Sequence, residues 1–205
     1  MQITYPAAAG SRYRELLRQI LLLSCLFMPI ASAFAQPSTA DTLQRIKERG
    51  YITLGHRESS VPFSYYDGQG QVAGYSHELA LRIVDAVRHH LDEPLLVLRL
   101  APITSENRIR MIRSGEIDLE CGSTTHNSFR ARHASFSNTI FIIGTRMLTR
   151  QDSGIHDFPD LAGRRVVTTA GTTSERLLRE MNELRQKGMT IVTQRDHRES
   201  FLALE

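Results

Sequence analysis

Between residues 43 and 120 the chain alternates between two hydrophobic rhythms. Leu43 and Ile46, followed by Gly50, mark a short amphipathic helix with a glycine stop. The apolar run from Tyr51 to Gly55 predicts a strand. After the turn composition Asp67-Gly-Gln-Gly70, a helix opens at Ser76. Its Leu79, Ile83, Val84, Val87 and Leu91 recur at helical spacing, while Glu78, Arg82 and Asp85 take the far face. Pro94 ends that region before a strand from Leu95 to Leu100. Ser105 is placed to cap a short helix carrying Ile109 and Ile112 and stopped at Gly115, and strand resumes from Ile117 to Glu120.

The second half continues the alternation. Thr139 to Leu148 predicts a long strand interrupted by Gly144, and Arg165 to Thr169 another. Thr172-Thr-Ser-Glu175 is a capping box opening a helix with Leu177, Leu178, Met181 and Leu184. A strand from Thr190 to Thr193 and a helix beginning near His197 follow. Alternating strands and helices predict an α/β fold, a mainly parallel sheet covered by helices. Ser200-Phe-Leu-Ala-Leu-Glu205 lies inside a helical pattern with neither cap nor polar tail, so the pattern reads as cut short.

The N-terminus carries a different signal. Arg12, Arg14 and Arg18 precede the apolar run Ile20 to Met28 and the small-residue stretch Pro29 to Ala35. That order predicts a signal peptide over 1–35, cleaved after Ala35 or Ala33, a linker over 36–41, and export to the periplasm. The apolar run is about half of the roughly 20 residues needed to span a bilayer. Leu-Leu-Ser-Cys25 loosely resembles a lipoprotein cleavage site, but cleavage there leaves too short an apolar core. Of the 25 basic and 22 acidic residues in 205, the leader holds three and one, so the remainder is close to neutral. Its basic residues are interleaved with acids, without the basic stripe and aromatic platforms of a nucleic-acid binder. Beyond the leader Cys121 is the one cysteine, so no internal disulfide is expected.

In open α/β sheets, ligands collect at the loops after strands and at helix N-termini, where free N–H groups favour anions. Four loops here carry matched polar groups: His56-Arg57-Glu58-Ser59-Ser60, Thr104-Ser105-Glu106-Asn107-Arg108, Gly122-Ser123-Thr124-Thr125 and Gly171-Thr172-Thr173-Ser174. Two arginines and many hydroxyls in one cleft suit a ligand with two carboxylates, because guanidinium binds carboxylate through paired charge-assisted hydrogen bonds. The competing expectations are that the hydroxyls only cap helices, and that Arg57 and Arg108 form surface ion pairs with Glu58 and Glu106. No metal or cofactor is expected: His89 and His90 are adjacent on a helix and point about 100° apart, and His126 and His133 have no evident partner. Glu106 and Glu120 are the nearby carboxyl groups, and neither has a base at suggestive spacing.

Longer runs carry a resemblance. Gly55-His-Arg-Glu-Ser-Ser-Val-Pro-Phe-Ser-Tyr-Tyr-Asp67, Pro102 to Arg108, Glu120-Cys-Gly-Ser-Thr-Thr125, Phe136-Ser-Asn-Thr-Ile-Phe141 and Gly171 to Glu175 closely resemble the polar amino-acid solute-binding family of ABC transporters. The His-Arg-Glu-Ser-Ser run and His197 are similar to its glutamate/aspartate branch in particular. The resemblance implies a bilobal type II periplasmic-binding-protein fold. Lobe 1 would occupy 42–145 and lobe 2 146–205, the second lobe and the C-terminal return to the first being incomplete. It implies a monomer that captures L-glutamate or L-aspartate for an inner-membrane ABC permease, without a cofactor and without chemistry. Arg108 would clamp the α-carboxylate with Thr125 and the Gly171 loop, and Ser123 would accept from the α-amino group. Arg57, Ser105, Thr173 and a protonated His197 would meet the distal carboxylate. Rival functions on the same scaffold are the input domain of a receptor and a periplasmic dehydratase. Family members continue past residue 205, and the continuation holds the acid that neutralises the α-amino group. A chain ending there is expected to expose apolar faces and to bind weakly alone.

Overall fold

The computed structural model describes residues 42–204; the expected signal peptide and linker lie outside the described residues. In chain order the helices are Thr42–Arg49 (α1), Tyr75–Leu91 (α2), Arg108–Ser114 (α3), Ser128–Ala131 (α4), Thr173–Leu184 (α5) and His197–Leu202 (α6). The strands are Tyr51–His56 (β1), Ser59–Ser60 (β2), Ser64–Tyr66 (β3), Val72–Ala73 (β4), Val97–Pro102 (β5), Leu119–Glu120 (β6), Arg165–Thr169 (β7) and Thr190–Gln194 (β8). Among these residues no helix is long and apolar enough to cross a membrane.

β1 is buried at every position after Tyr51. It runs parallel between β5 and β6, and a central parallel strand has no polar side to show. The register sets Gly55 opposite Ala101 and Glu120. Gly55 is required by space: a Cβ there would lie 2.6 Å from Ile117 Cδ1 and 3.2 Å from two carbons of Ile103. Ile46 of α1, Ile52 of β1, Val84 of α2 and Leu96 form the core, with Val87, Leu91 and Leu98 packed against it. Arg49 pairs with Asp118, whose Oδ2 also accepts from Thr53 N at 2.8 Å, tying the end of α1 to β1 and to the approach to β6.

The short β2–β3–β4 sheet is antiparallel and escaped the hydrophobic pattern because its strands are two or three residues long and largely polar. Its expected turn is present: Asp67 Oδ1 accepts from Gln69 N at 2.8 Å and Gln71 N at 2.9 Å. α4 and a 3-10 turn at Phe158–Leu161 were also missed; side chains of Asn127 and Asp157 cap them.

β7 and β8 pair in parallel as a separate two-stranded sheet joined through α5. Thr172 Oγ1 accepts from Glu175 N at 3.0 Å, and Glu175 Oε2 accepts from Gly171 N at 2.8 Å, so the expected cap is in place. No α5 residue is buried, and among the described residues from 146 onward only Leu161, Thr169 and Met189 are.

Four expectations are corrected. Residues 139–148 form no strand. A strand exists only where its backbone finds a ladder partner, and this run finds instead Tyr75 Oη, which donates to Ile140 O at 3.1 Å, and edge-on ring contacts of Phe141 with Phe63 and Tyr75. Ser105 does not cap α3. Thr104 and Asn107 bond reciprocally, side chain to backbone, at 2.8 and 3.1 Å ahead of the helix, and Ser105 turns inward. β5 begins two residues late, at Val97, because Leu96 N closes a turn onto Glu93 O at 3.1 Å, and β6 shrinks to Leu119–Glu120.

Replacing Ile52 by Ala removes a core side chain that is 2% exposed. Urea unfolding is expected to report a loss of about 2–5 kcal/mol, whereas Leu95→Ala, at a position 89% exposed, stays within about 0.5 kcal/mol.

Candidate ligand site

The C-terminal end of β1 delivers Arg57 into the interior, where it is 1% exposed. Its backbone N donates to Ser64 Oγ at 2.9 Å, so the β2–β3 hairpin fixes the position of the arginine. Nη1 donates to Ser123 Oγ at 3.5 Å, and Ser123 Oγ donates to Ser60 Oγ at 3.3 Å. Arg108, the first residue of α3, is 2% exposed, and Ser105 is 3% exposed. From the other half come Thr173 at the start of α5 and His197 at the start of α6, whose Nδ1 lies 2.8 Å from Thr169 Oγ1.

Several close contacts bring these segments together. Gly171, at φ +70, lies so near the Ser105–Glu106 backbone that a Cβ would stand 2.5 Å from Glu106 Cα. Arg130 donates to Thr125 O at 2.9 Å and to Gly171 O at 3.1 Å, and Arg195 donates to Glu58 Oε2 at 2.6 Å. The competing alternative, surface pairing of Arg57 with Glu58 and Arg108 with Glu106, is thereby overturned: both arginines are buried, and Glu58 is taken by Arg195.

Burial governs the charge states. The Arg108 guanidinium is lowered to about 10, by desolvation first; the Glu120 carboxylate opposes this, and the like charges of Arg130 and Arg57 add to it. Arg57 and Arg130 are also lowered by burial, with Glu120 opposing in each case. His197 is lowered to about 4, by burial and then by Arg57 and Arg108. The expected protonated His197 is therefore corrected: beside two buried cations the imidazole is neutral near pH 7. Burial also pushes the Cys121 thiol up to about 11, which leaves it a poor nucleophile.

Arg57 Nη2, Arg108 Nε and Nη1, Ser105 Oγ, Thr124 Oγ1 and Thr173 Oγ1 are buried without a hydrogen-bond partner among the described residues. Such orphans are rare in folded proteins and call for a partner. The segments carrying six of the seven sequence-derived candidates, Arg57, Ser105, Arg108, Ser123, Thr173 and His197, converge here. Thr125 is an exposed residue tied to the cluster through its carbonyl, while the neighbouring Thr124 turns its hydroxyl inward. Arg130 went unnoticed in the sequence because the four-residue helix that carries it, capped by Asn127, is too short to show a hydrophobic period.

Residues 52–199 match the family of bacterial extracellular solute-binding proteins, family 3. The chain belongs to that family. It is 52% identical over 169 residues to the glutamate/aspartate import solute-binding protein of Salmonella typhimurium, covering 82% of this chain and 56% of that protein. It is 49% identical over 181 residues to the L-glutamate/L-aspartate-binding protein of Pseudomonas aeruginosa, covering 86% of this chain and 60% of that one. The chain thus spans a little over half the length of the curated relatives it matches. Among solved structures, a mutant ArgBP from T. maritima superposes with TM-score 0.69 at 24% identity, covering 80% of this chain and 67% of that one. An ancestral amino acid-binding protein, described as a precursor of cyclohexadienyl dehydratase, gives 0.69 at 25% identity over 80% and 69%. The α/β, periplasmic-binding-protein-like fold expected from the sequence is the one these neighbours share.

The depressed His197 pKa sets a pH dependence. Between its ordinary 6.5 and about 4 the unfolded chain binds a proton that the folded protein excludes. The stability due to neutral His197 is therefore complete above about pH 6.5 and is lost as pH falls to about 4. His77, also lowered by burial, acts in the same direction. His197→Gln is expected to flatten the melting temperature against pH in this window; an unchanged slope contradicts the assignment.

Proposed function

We propose that this chain belongs to an extracytoplasmic solute-binding protein that captures L-glutamate or L-aspartate for uptake through an inner-membrane ABC permease. The observation that carries the reading is the set of buried, unpartnered donors on Arg57, Arg108, Ser105, Thr124 and Thr173. A buried cation without a counter-charge is costly, and two of them side by side more so. A small ligand with two carboxylates repays that cost. Each hydrogen bond to a charged group contributes roughly 1.5–3 kcal/mol, and water exclusion strengthens the charged contacts. The roughly 50% identity to proteins named for glutamate and aspartate supports the same ligand class.

In this reading Arg108 holds the α-carboxylate with the Thr125 region and the Gly171 loop, and Ser123 accepts from the α-amino group. Arg57, Ser105, Thr173 and His197 face the distal carboxylate, His197 as a neutral group. Residues 42–145 form the first lobe and 146–205 part of the second; 1–35 direct export to the periplasm, and the protein acts as a monomer. It performs no catalysis. The charged neighbours of the Glu120 carboxylate are arginines, whose guanidinium groups cannot serve as bases at neutral pH.

Thermal melting at millimolar L-glutamate reads even weak binding. Arg108→Ala is expected to abolish the stabilisation by all amino acids, and Arg57→Ala to abolish the preference for glutamate over glutamine. Retained glutamate stabilisation in Arg108→Ala overturns the site assignment. Glutamate incubated with the protein is expected back unchanged by chromatography, and a new product would favour an enzyme.

A further inference from the structure

Glu120 has no place in the ligand contacts above, yet it lies among them. The β1–β6 register sets it opposite Gly55, two residues ahead of Arg57. Its Oε1 is buried without a hydrogen-bond partner among the described residues. The site makes room for it: a Cβ on Gly122 would stand 2.8 Å from Glu120 Oε1 and 3.3 Å from Arg57 Cγ, so the carboxylate and the stem of Arg57 share the space over that glycine. It is the foremost opposing charge for Arg57, Arg108 and Arg130 alike. Nearby acids are engaged elsewhere. Glu58 accepts from Arg195, Asp196 caps α6 by accepting from Glu199 N, and Glu175 accepts from Arg179 and Gly171 N.

We propose that Glu120 is the fixed counter-charge of the site and sets the ligand charge that the site accepts. Against the three guanidinium groups it leaves two net positive charges, which two carboxylates balance. A ligand with one carboxylate leaves a buried positive charge unmatched. The ammonium of an amino dicarboxylate brings one further positive charge, which the Glu120 carboxylate helps to offset, so Glu120 favours a dicarboxylate that carries an ammonium over one that lacks it. The inference rests on the acidic-ligand reading of this site.

Glu120→Gln removes the charge at nearly constant shape. Titration of the protein with L-glutamate and with glutarate, which keeps both carboxylates and lacks the ammonium, is expected to shift the affinity ratio toward glutarate by on the order of tenfold in the variant. Glu120→Asp is expected to keep the wild-type ratio. A role in packing alone weakens both ligands equally, and an unchanged ratio in Glu120→Gln overturns the proposal. Failure of the wild-type protein to respond to either dicarboxylate refutes the ligand reading instead. A ligand-free double-mutant cycle then decides the role of Glu120. Glu120→Gln is expected to lower the melting temperature or prevent folding, and adding Arg130→Gln to recover part of the loss. Losses that simply add, or a double variant no better than Glu120→Gln, overturn the counter-charge.

Discussion

Guanidinium groups buried side by side are the constraint on which the rest of this structure depends. Arg57 and Arg108 are nearly sealed from solvent, and each lowers the proton affinity of its surroundings. Cations placed this way favour neither folding nor closure by themselves. The surroundings supply what compensation the protein has. Ser64 and Ser123 hold the backbone and one nitrogen of Arg57, the Glu120 carboxylate offers opposite charge, and Arg130 is spent on two carbonyls. Several donors remain unpaired among the described residues, and that residue of unmet hydrogen bonding marks the place as a candidate site rather than a core.

The two halves that meet here are built differently. The first has an apolar core around Ile52 and Val84, anchored by α1 and α2. The second has a two-stranded sheet and few buried side chains, and α5 lies on it with none buried. Its placement against the first half leans on polar contacts near the site: Arg130 to the Gly171 carbonyl, Arg195 to Glu58, and the backbone approach of Gly171 to Glu106.

The solved neighbours carry a further lesson. An ArgBP and an ancestral amino acid-binding protein described as a precursor of cyclohexadienyl dehydratase share this fold at about a quarter identity. A shared fold does not fix the ligand, and the charge pattern at the strand ends is where this chain's own chemistry lies. In this chain that pattern is three arginines and a glutamate, with the histidine held neutral first by burial and then by Arg57 and Arg108.

Much was legible in the sequence because the physics was local. The period of Leu79 to Leu91, the stop at Gly50, the Thr172–Glu175 cap and the Asp67 turn depend on neighbours within a few residues, and each formed as written. The long runs around Arg57, Arg108 and Ser123 pointed to the site because strand ends and helix starts bring such loops together in any open α/β sheet. Other features depended on partners distant in the chain. Ile140 to Ile143 had the composition of a strand but no ladder to join, and Ser105 had the chemistry of a cap but turned inward once Thr104 and Asn107 had bonded each other. The neutral state of His197, the pairing of Glu58 with Arg195 and the place of Glu120 among three arginines follow from burial and through-space charge. The sequence alone determined which elements form and which residues carry charge; only tertiary structure decided which charges lose their water and face one another, because desolvation and Coulomb energy depend on distance in space, not along the chain.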